Sequence, residues 1–151
     1  MTYIIAEIGV NHNNNLDYAK RIINFCVSEK VNAVKFQTFK ADTLAQKKTP
    51  KVFYQKKNTN DKENHFEMLK KLELSKKDHI ILKKYCDKRK IEFISTPYDI
   101  ESAKFLITLK LKKIKVSSAD LTDFFLHEFL SKTKKKIILS TGMSNIDNIK
   151  D

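Results

Sequence analysis

The most restrictive feature of this sequence is a repeated alternation between short apolar runs and longer stretches with helical spacing. In those longer stretches the apolar residues recur every three or four positions, as they do in a helix with one buried face. Strands that alternate with helices form a parallel sheet, because each helix carries the chain back to the edge where the previous strand began. The sequence therefore predicts an α/β fold. The five predicted strands are residues 3–8, 32–38, 91–95, 113–117 and 136–140.

The helices between these strands are predicted from apolar periodicity and from capping residues. Asn15, Ser75 and Asp99 (or Ser102) each stand where a side-chain oxygen would accept a hydrogen bond from the first turn of a helix. The polar stretch at residues 40–64 is too hydrophilic to pack and long for a simple connection, so we expect a loop that is either functional or disordered. The predicted helices are residues 16–30, 67–72, 76–90, 100–109 and 123–132, with a further start at Ser144 to Asp147.

Polar side chains stand at the end of every predicted strand, and this feature favours a barrel over an open sheet. A (β/α)₈ barrel builds its site from the carboxyl ends of many strands, whereas an open sheet concentrates its chemistry at one switch point. No glycine-rich nucleotide-binding motif is present. The 151 residues fall short of the roughly 250 that a closed barrel needs. We therefore predict an incomplete (β/α)₈ TIM barrel, comprising about the first five βα units over residues 1–151.

Alternation along the strands predicts which side chains face the interior of this barrel. In the second strand Val34 and Phe36 are apolar and would face the helices, which leaves Lys35 and Gln37 pointing inward. Glu7 in the first strand and Lys115 in the fourth occupy the same phase.

Charges inside a parallel sheet are costly unless they are paired or used in function. One interpretation is an ion pair of Glu7 with Lys35 or Lys115 that only ties strands together. We favour function, because three charges share one face with the hydroxyls of Thr96, Ser118 and Ser140. Lysine charge and hydroxyl donors together suit a phosphate or a carboxylate.

The net charge of +12 could suggest nucleic-acid binding, but the residues that carry it argue against that function. Arg21 and Arg89 are the only arginines, and the lysines are spread along the chain. Base and phosphate recognition favour the planar guanidinium. Cys26 and Cys86 lie in predicted helices and are expected to be buried free thiols. With no signal peptide or membrane-spanning run in the sequence, we predict a cytoplasmic protein that binds neither membrane nor nucleic acid.

Five segments in register resemble the N-acetylneuraminate (sialic acid) synthase family. The segment at residues 68–79 is also similar to the family's spacer between the second and third strands. Within the family, the KFQ and LELS sequences most resemble the legionaminate and neuraminate synthase branch. The resemblance runs from one end of the chain to the other. The five segments are residues 4–12 (IIAEIGVNH), 34–40 (VKFQTFK), 93–98 (FISTPY), 115–120 (KVSSAD) and 137–143 (IILSTGM).

The resemblance implies a transferase that condenses phosphoenolpyruvate with an N-acylated mannosamine-type sugar, giving a nine-carbon 2-keto acid and phosphate. It implies that Glu7 acts near the reacting centre and that Gln37 and Asp120 contact the sugar. The resemblance also implies a divalent metal, Mn²⁺ or Mg²⁺, whose histidine ligands lie on strands beyond this chain. It implies a homodimer as well. The residues that would hold phosphoenolpyruvate are Lys35, Thr96, Lys115, Ser118 and Ser140.

The sequence departs from the family pattern in two places and stops before the pattern ends. Asn14 replaces a usual glycine, and residues 117–120 (SSAD) replace the common GSGE. The last barrel strands and the family's C-terminal antifreeze-like domain are absent, so we expect no synthase activity from the chain alone. Two alternatives stay open: a Schiff-base aldolase that uses Lys35 or Lys115 as the amine, and a non-catalytic remnant or interaction subunit. His12 is left open as a ligand, a base or a structural residue.

Overall fold

A computed structural model describes residues 2–47, 63–142 and 144–150 of the chain. It contains the five predicted strands, all paired in parallel, and the predicted α/β class is confirmed. Each strand lies within a residue or two of its predicted bounds. The strands are β1 (Ile5–Gly9), β2 (Ala33–Thr38), β3 (Glu92–Pro97), β4 (Lys113–Val116) and β5 (Lys136–Leu139).

The predicted helices are present, and three of them begin at the capping residues that the sequence predicted. The side-chain oxygens of Asn15, Ser75 and Asp99 accept hydrogen bonds from the backbone N–H groups three residues later. No helix in this part of the chain is both long and apolar enough to cross a membrane. The helices are α1 (Leu16–Ser28), α2 (Ala41–Leu44), α3 (His65–Leu72), α4 (Lys76–Arg89), α5 (Ile100–Thr108), α6 (Phe124–Ser131) and α7 (Ile146–Lys150).

The polar stretch at residues 40–64 was predicted to be an unpacked loop, and for its first residues that prediction is wrong. Residues 41–44 form α2, because Ala41 is fully buried and its N–H donates to the carboxylate of Glu73, which also pairs with Lys40 at 2.6 Å. Helix α3 starts earlier than predicted, since Asn64 supplies a capping box. Residues 48–62 of the stretch, and Met143 of the fifth motif, lie outside the described residues.

The last helix also begins differently from the prediction. The cap of α7 is Asn145, whose side-chain oxygen accepts from the N–H of Asn148 at 2.9 Å, where Ser144 had been predicted. Asn145 and Asn148 exchange side-chain and backbone hydrogen bonds reciprocally. This pairing satisfies two of the backbone N–H groups that a helix start leaves without partners.

The strands form two parallel sheets rather than one continuous ladder. One has the order β1-β2-β3 and the other pairs β4 with β5. Strands β3 and β4 lie side by side, and at their amino ends the ammonium of Lys113 pairs with the carboxylate of Glu92. Ile137 and Leu139 of β5 are each about two-fifths exposed. Strands β1 and β5 are therefore the two outermost strands of the described structure.

Apolar packing between strands and helices determines which face of β2 meets the site. Val34 and Phe36 are fully buried in a cluster with residues of α1 and α4, among them Ile23 and Leu82. Because side chains alternate along a strand, Lys35 and Gln37 point to the opposite face. The predicted facing of β2 is therefore confirmed. Cys26 and Cys86 belong to the same cluster as buried free thiols, also as predicted.

The turns that lead from a helix into a strand share an uncommon feature. Lysine occupies a left-handed backbone conformation in each of four such turns, at Lys30, Lys90, Lys110 and Lys134, with φ between 55° and 59°. Glycine is the residue that adopts this conformation without steric cost. Each of these turns is therefore mildly strained.

Candidate functional site

A cavity of about 360 Å³ opens at the carboxyl ends of the strands. Its volume lies in the range of pockets that bind small molecules. Seven of the eight predicted site residues line it, and Asp120 does not. The predicted residues on the cavity wall are Glu7, Lys35, Gln37, Thr96, Lys115, Ser118 and Ser140.

Lys35 is the buried centre of the cavity wall. Its side chain is only 7% exposed, and its ammonium lies 2.8 Å from the Glu7 carboxylate and 3.0 Å from the Thr96 hydroxyl. Glu7, by contrast, is 60% exposed at the mouth of the cavity. The ion pair thus exists, but the expectation that Glu7 would be an interior charge is wrong, since β1 is an edge strand. The carboxylate remains accessible from the cavity.

Lys115 brings a second ammonium to the same wall from the neighbouring sheet. It donates to the backbone carbonyl of Val116 at 2.6 Å. Burial is the main cause that lowers its pKa below the ordinary lysine value, and repulsion from Lys35 adds to it, against the opposing attraction of Glu7 and Asp120. Two lysines that repel each other across a partly buried cavity favour a bound anion, which would relieve the repulsion.

Gly9 shapes the mouth of the cavity and was not identified from the sequence. Its φ is +55°, and a methyl group at this position would lie 3.2 Å from the Glu7 carboxylate and 3.6 Å from the Gln37 amide. Any larger residue would crowd both side chains. The sequence signal was available, because Gly9 is one of two glycines in the chain and directly follows a strand core. Ser117 and Tyr98 also line the cavity and were not predicted.

Asp120 lies beside the cavity rather than on its wall. It ends a single 3₁₀ turn, Ser118–Asp120, and its carboxylate is close enough to Lys115 to attract that ammonium. Burial, with a contribution from Asp123, raises the pKa of its carboxyl. One carboxyl oxygen is buried and has no hydrogen-bond partner among the described residues. His127 donates to the Asp120 backbone carbonyl at 3.1 Å, so the turn itself is anchored.

His12 proves to be a buried neutral side chain. It is fully buried, its ring lies 5.9 Å from that of Phe36, and the N–H of Asn14 donates to its Nδ1. Burial lowers its pKa to about 4, which leaves it uncharged at neutral pH with the proton on Nε2. The ring does not line the cavity, and its Nε2 is buried without a hydrogen-bond partner among the described residues.

The described residues do not fit a metal centre. No group of three or more histidine, cysteine, aspartate or glutamate side chains is placed to hold an ion in the part of the chain that the structure describes.

Parallel strands whose carboxyl ends converge on a cationic, hydroxyl-lined cavity define the class: an α/β protein with its site at the strand ends. A model of the NeuB family matches residues 22–151. The chain belongs to the NeuB family.

Individual relatives agree with this assignment. The chain is 42% identical over 148 residues to the N,N'-diacetyllegionaminic acid synthase of Legionella pneumophila, covering 98% of this chain and 42% of that protein. It is 32% identical over 151 residues to human N-acetylneuraminate-9-phosphate synthase, covering 98% and 41%. The crystal structure of the N-acetylneuraminic acid synthetase of Leptospira borgpetersenii in complex with citrate superposes with a TM-score of 0.82 at 28% identity, covering 98% and 47%. The chain thus spans less than half the length of these relatives.

Proposed function

We propose that this chain forms the phosphoenolpyruvate-binding part of a sialic-acid-synthase-type enzyme. The observation that carries the proposal is the pair of lysines, Lys35 and Lys115, on the wall of one cavity. Phosphoenolpyruvate carries a phosphate and a carboxylate, and two cations with hydroxyl donors at Thr96, Ser118 and Ser140 match those two groups. The names of the relatives support a synthase of N-acylated sugar acids.

The proposed reaction forms a carbon–carbon bond. The methylene carbon of phosphoenolpyruvate attacks the aldehyde of an open-chain N-acylated mannosamine-type sugar, whose oxygen takes up a proton. Water adds to the enol-derived carbon, the C–O bond to phosphate breaks, and a nine-carbon 2-keto acid remains. Lys35 and Lys115 hold the anionic groups, and Glu7 is the exposed carboxylate that can exchange protons near the reacting carbons. Gln37 and Asp120 are assigned to the sugar, whose hydroxyls can donate to the side-chain oxygens of both residues.

We further propose that the chain is the N-terminal part of a (β/α)₈ barrel, with five of its strands. The open edges at β1 and β5 support this, because a closed barrel has none. On this proposal the remaining strands, the C-terminal domain and the ligands of the Mn²⁺ or Mg²⁺ ion come from residues outside this chain. We expect no synthase turnover by the chain alone. Phosphate release from phosphoenolpyruvate with Mn²⁺ and N-acetylmannosamine by the purified chain would contradict that.

Binding of phosphoenolpyruvate tests the proposal directly. Calorimetric titration should detect binding to the wild-type chain and a weaker affinity for Lys115→Met. The matched control is Lys112→Met, which removes the same charge from an exposed lysine at the amino ends of the strands. Equal binding by both variants, or none by the wild type, would refute the assignment of the cavity.

A cytoplasmic location is part of the proposal and fits the two free thiols.

One observation favours a second candidate, a Schiff-base aldolase. Lys115 has a lowered pKa, and a neighbouring cation contributes to lowering it, which is one way proteins activate an amine for attack on a carbonyl. Borohydride reduction in the presence of pyruvate would trap an adduct on Lys115, detectable as a mass increase. The synthase proposal expects no trapped adduct.

A further inference from the structure

Behind the cavity lies a hydrogen-bond relay of buried polar side chains, none of which lines the cavity. The ring of His79 on α4 lies 2.9 Å from the Thr38 hydroxyl, and that hydroxyl lies 2.7 Å from the Ser95 hydroxyl. The three side chains are between 0% and 6% exposed. Buried polar groups persist in a core where they are hydrogen-bonded, and a fully satisfied network fixes one arrangement of it.

The direction in which hydrogen bonds are donated along this relay follows from the groups around His79. Nδ1 of His79 lies 2.9 Å from the Ser75 backbone carbonyl, which only accepts, so Nδ1 carries the proton. Nε2 lies 2.9 Å from the Thr38 hydroxyl and 3.2 Å from the Gln37 backbone carbonyl. Burial lowers the pKa of the ring, against the opposing effect of the Ser75 and Gln37 carbonyls. In the neutral ring the nearer carbonyl, that of Ser75, accepts the hydrogen bond from the protonated Nδ1, and Nε2 accepts from the Thr38 hydroxyl. Thr38 in turn accepts from Ser95. The Ser95 hydroxyl on β3 therefore donates to the Thr38 hydroxyl on β2, which donates to the His79 ring on α4.

The relay links the carboxyl ends of β2 and β3, the two strands that carry the central residues of the site. Thr38 follows Gln37 in β2, and Ser95 precedes Thr96 in β3; Gln37 and Thr96 are register partners. Because side chains alternate, the hydroxyls of Thr38 and Ser95 lie on the helix side of the sheet while Gln37 and Thr96 face the cavity. The rings of Phe93 and Phe105 lie nearly perpendicular to the His79 ring, with centroids 6.5 Å and 5.7 Å from it. A shift of either hydroxyl would move the cavity residue next to it.

We propose that His79 is a positioning residue that, through Thr38 and Ser95, holds the ends of β2 and β3 at the spacing required for anion binding between Lys35 and Thr96. The inference rests on the proposed function, because the anion it serves is phosphoenolpyruvate. His79 itself does not line the cavity. Its contribution is to fix the 3.0 Å contact of Lys35 with Thr96 from the opposite face of the sheet.

The test compares variants that change one hydroxyl or one ring. His79→Leu removes the acceptor, with His79→Gln as the conservative variant that retains one. In case His79→Leu does not fold, Thr38→Val removes the hydroxyl that donates to His79 and accepts from Ser95, and Thr38→Ser restores it. The matched control is Thr133→Val, which deletes a hydroxyl bonded to the Leu130 carbonyl after α6, near the amino end of β5. Circular dichroism establishes that each variant is folded.

We expect Thr38→Val to bind phosphoenolpyruvate about tenfold more weakly than wild type, with Thr38→Ser and Thr133→Val close to wild type. An unchanged affinity in folded Thr38→Val, or an equal loss in Thr133→Val, would overturn the inference. If the wild type binds no phosphoenolpyruvate, the proposed function fails and amide hydrogen exchange decides the positioning role. Faster exchange at Gln37 and Thr96 in Thr38→Val but not in Thr133→Val supports it, and unchanged exchange refutes it.

Discussion

Replacing Lys35 with methionine removes the most buried cation of the cavity while largely keeping its shape. The Lys35 ammonium contacts the Glu7 carboxylate at 2.8 Å and the Thr96 hydroxyl at 3.0 Å. Glu7 is 60% exposed, so its charge returns to water in the variant instead of being left buried and unpaired. We therefore expect the free energy of unfolding to change by no more than about 1 kcal/mol.

The effect on ligand binding should be much larger than the effect on stability. A hydrogen bond to a charged group contributes about 1.5–3 kcal/mol. Loss of one such contact from a bound phosphate or carboxylate then weakens binding roughly 10- to 100-fold. The loss should lie near the lower end, because removing Lys35 also removes its repulsion of Lys115. Lys115 then holds its proton more strongly and compensates in part.

Calorimetric titration with phosphoenolpyruvate at pH 7 and low salt measures this difference. The control Lys112→Met changes the net charge equally at an exposed position away from the cavity, so it corrects for long-range attraction of an anion. Affinity of Lys35→Met within about threefold of wild type, a difference below about 0.7 kcal/mol, would refute the reasoning. So would an equal loss in Lys112→Met, because binding would then depend on overall charge and not on the cavity.

Four further predictions concern local features of the fold. Cys86, whose pKa burial raises to about 12, should react with a thiol reagent at pH 8 no faster than the protein opens, and mild denaturant should accelerate the reaction. Asp99→Ala removes the carboxylate that accepts from the N–H of Ser102 at 2.6 Å and should cost about 1 kcal/mol in urea unfolding; an unchanged midpoint would contradict the cap. Lys110→Gly relieves a φ of 55° and should stabilise the fold by about 0.5–1 kcal/mol, whereas a lower melting temperature would argue against strain in that turn. The pKa of His12 falls from its ordinary 6.5 to about 4 on folding, so the unfolded state binds the proton more tightly; stability should fall as pH drops from 6.5 toward 4, and His12→Phe should flatten that dependence.

The sequence alone determined the features that depend on local periodicity. An alternation of period two separates Val34 and Phe36 from Lys35 and Gln37, and the structure shows the same separation. Helix starts at Asn15 and Ser75 follow from a side-chain oxygen three residues before its partner. Such signals lie within a few residues of each other, so they survive in any fold that contains the element.

Only the tertiary structure decided what depends on distance between separate elements. Glu7 is exposed because β1 is an edge strand, and Asp120, at the end of the 3₁₀ turn after β4, lies beside the cavity and not on its wall. The contact of His79 with Thr38 joins residues 41 positions apart, and His79 by itself gave no signal of a partner. Periodicity fixes the face on which a side chain lies, whereas the packing of helices on the sheet fixes which other side chains it meets.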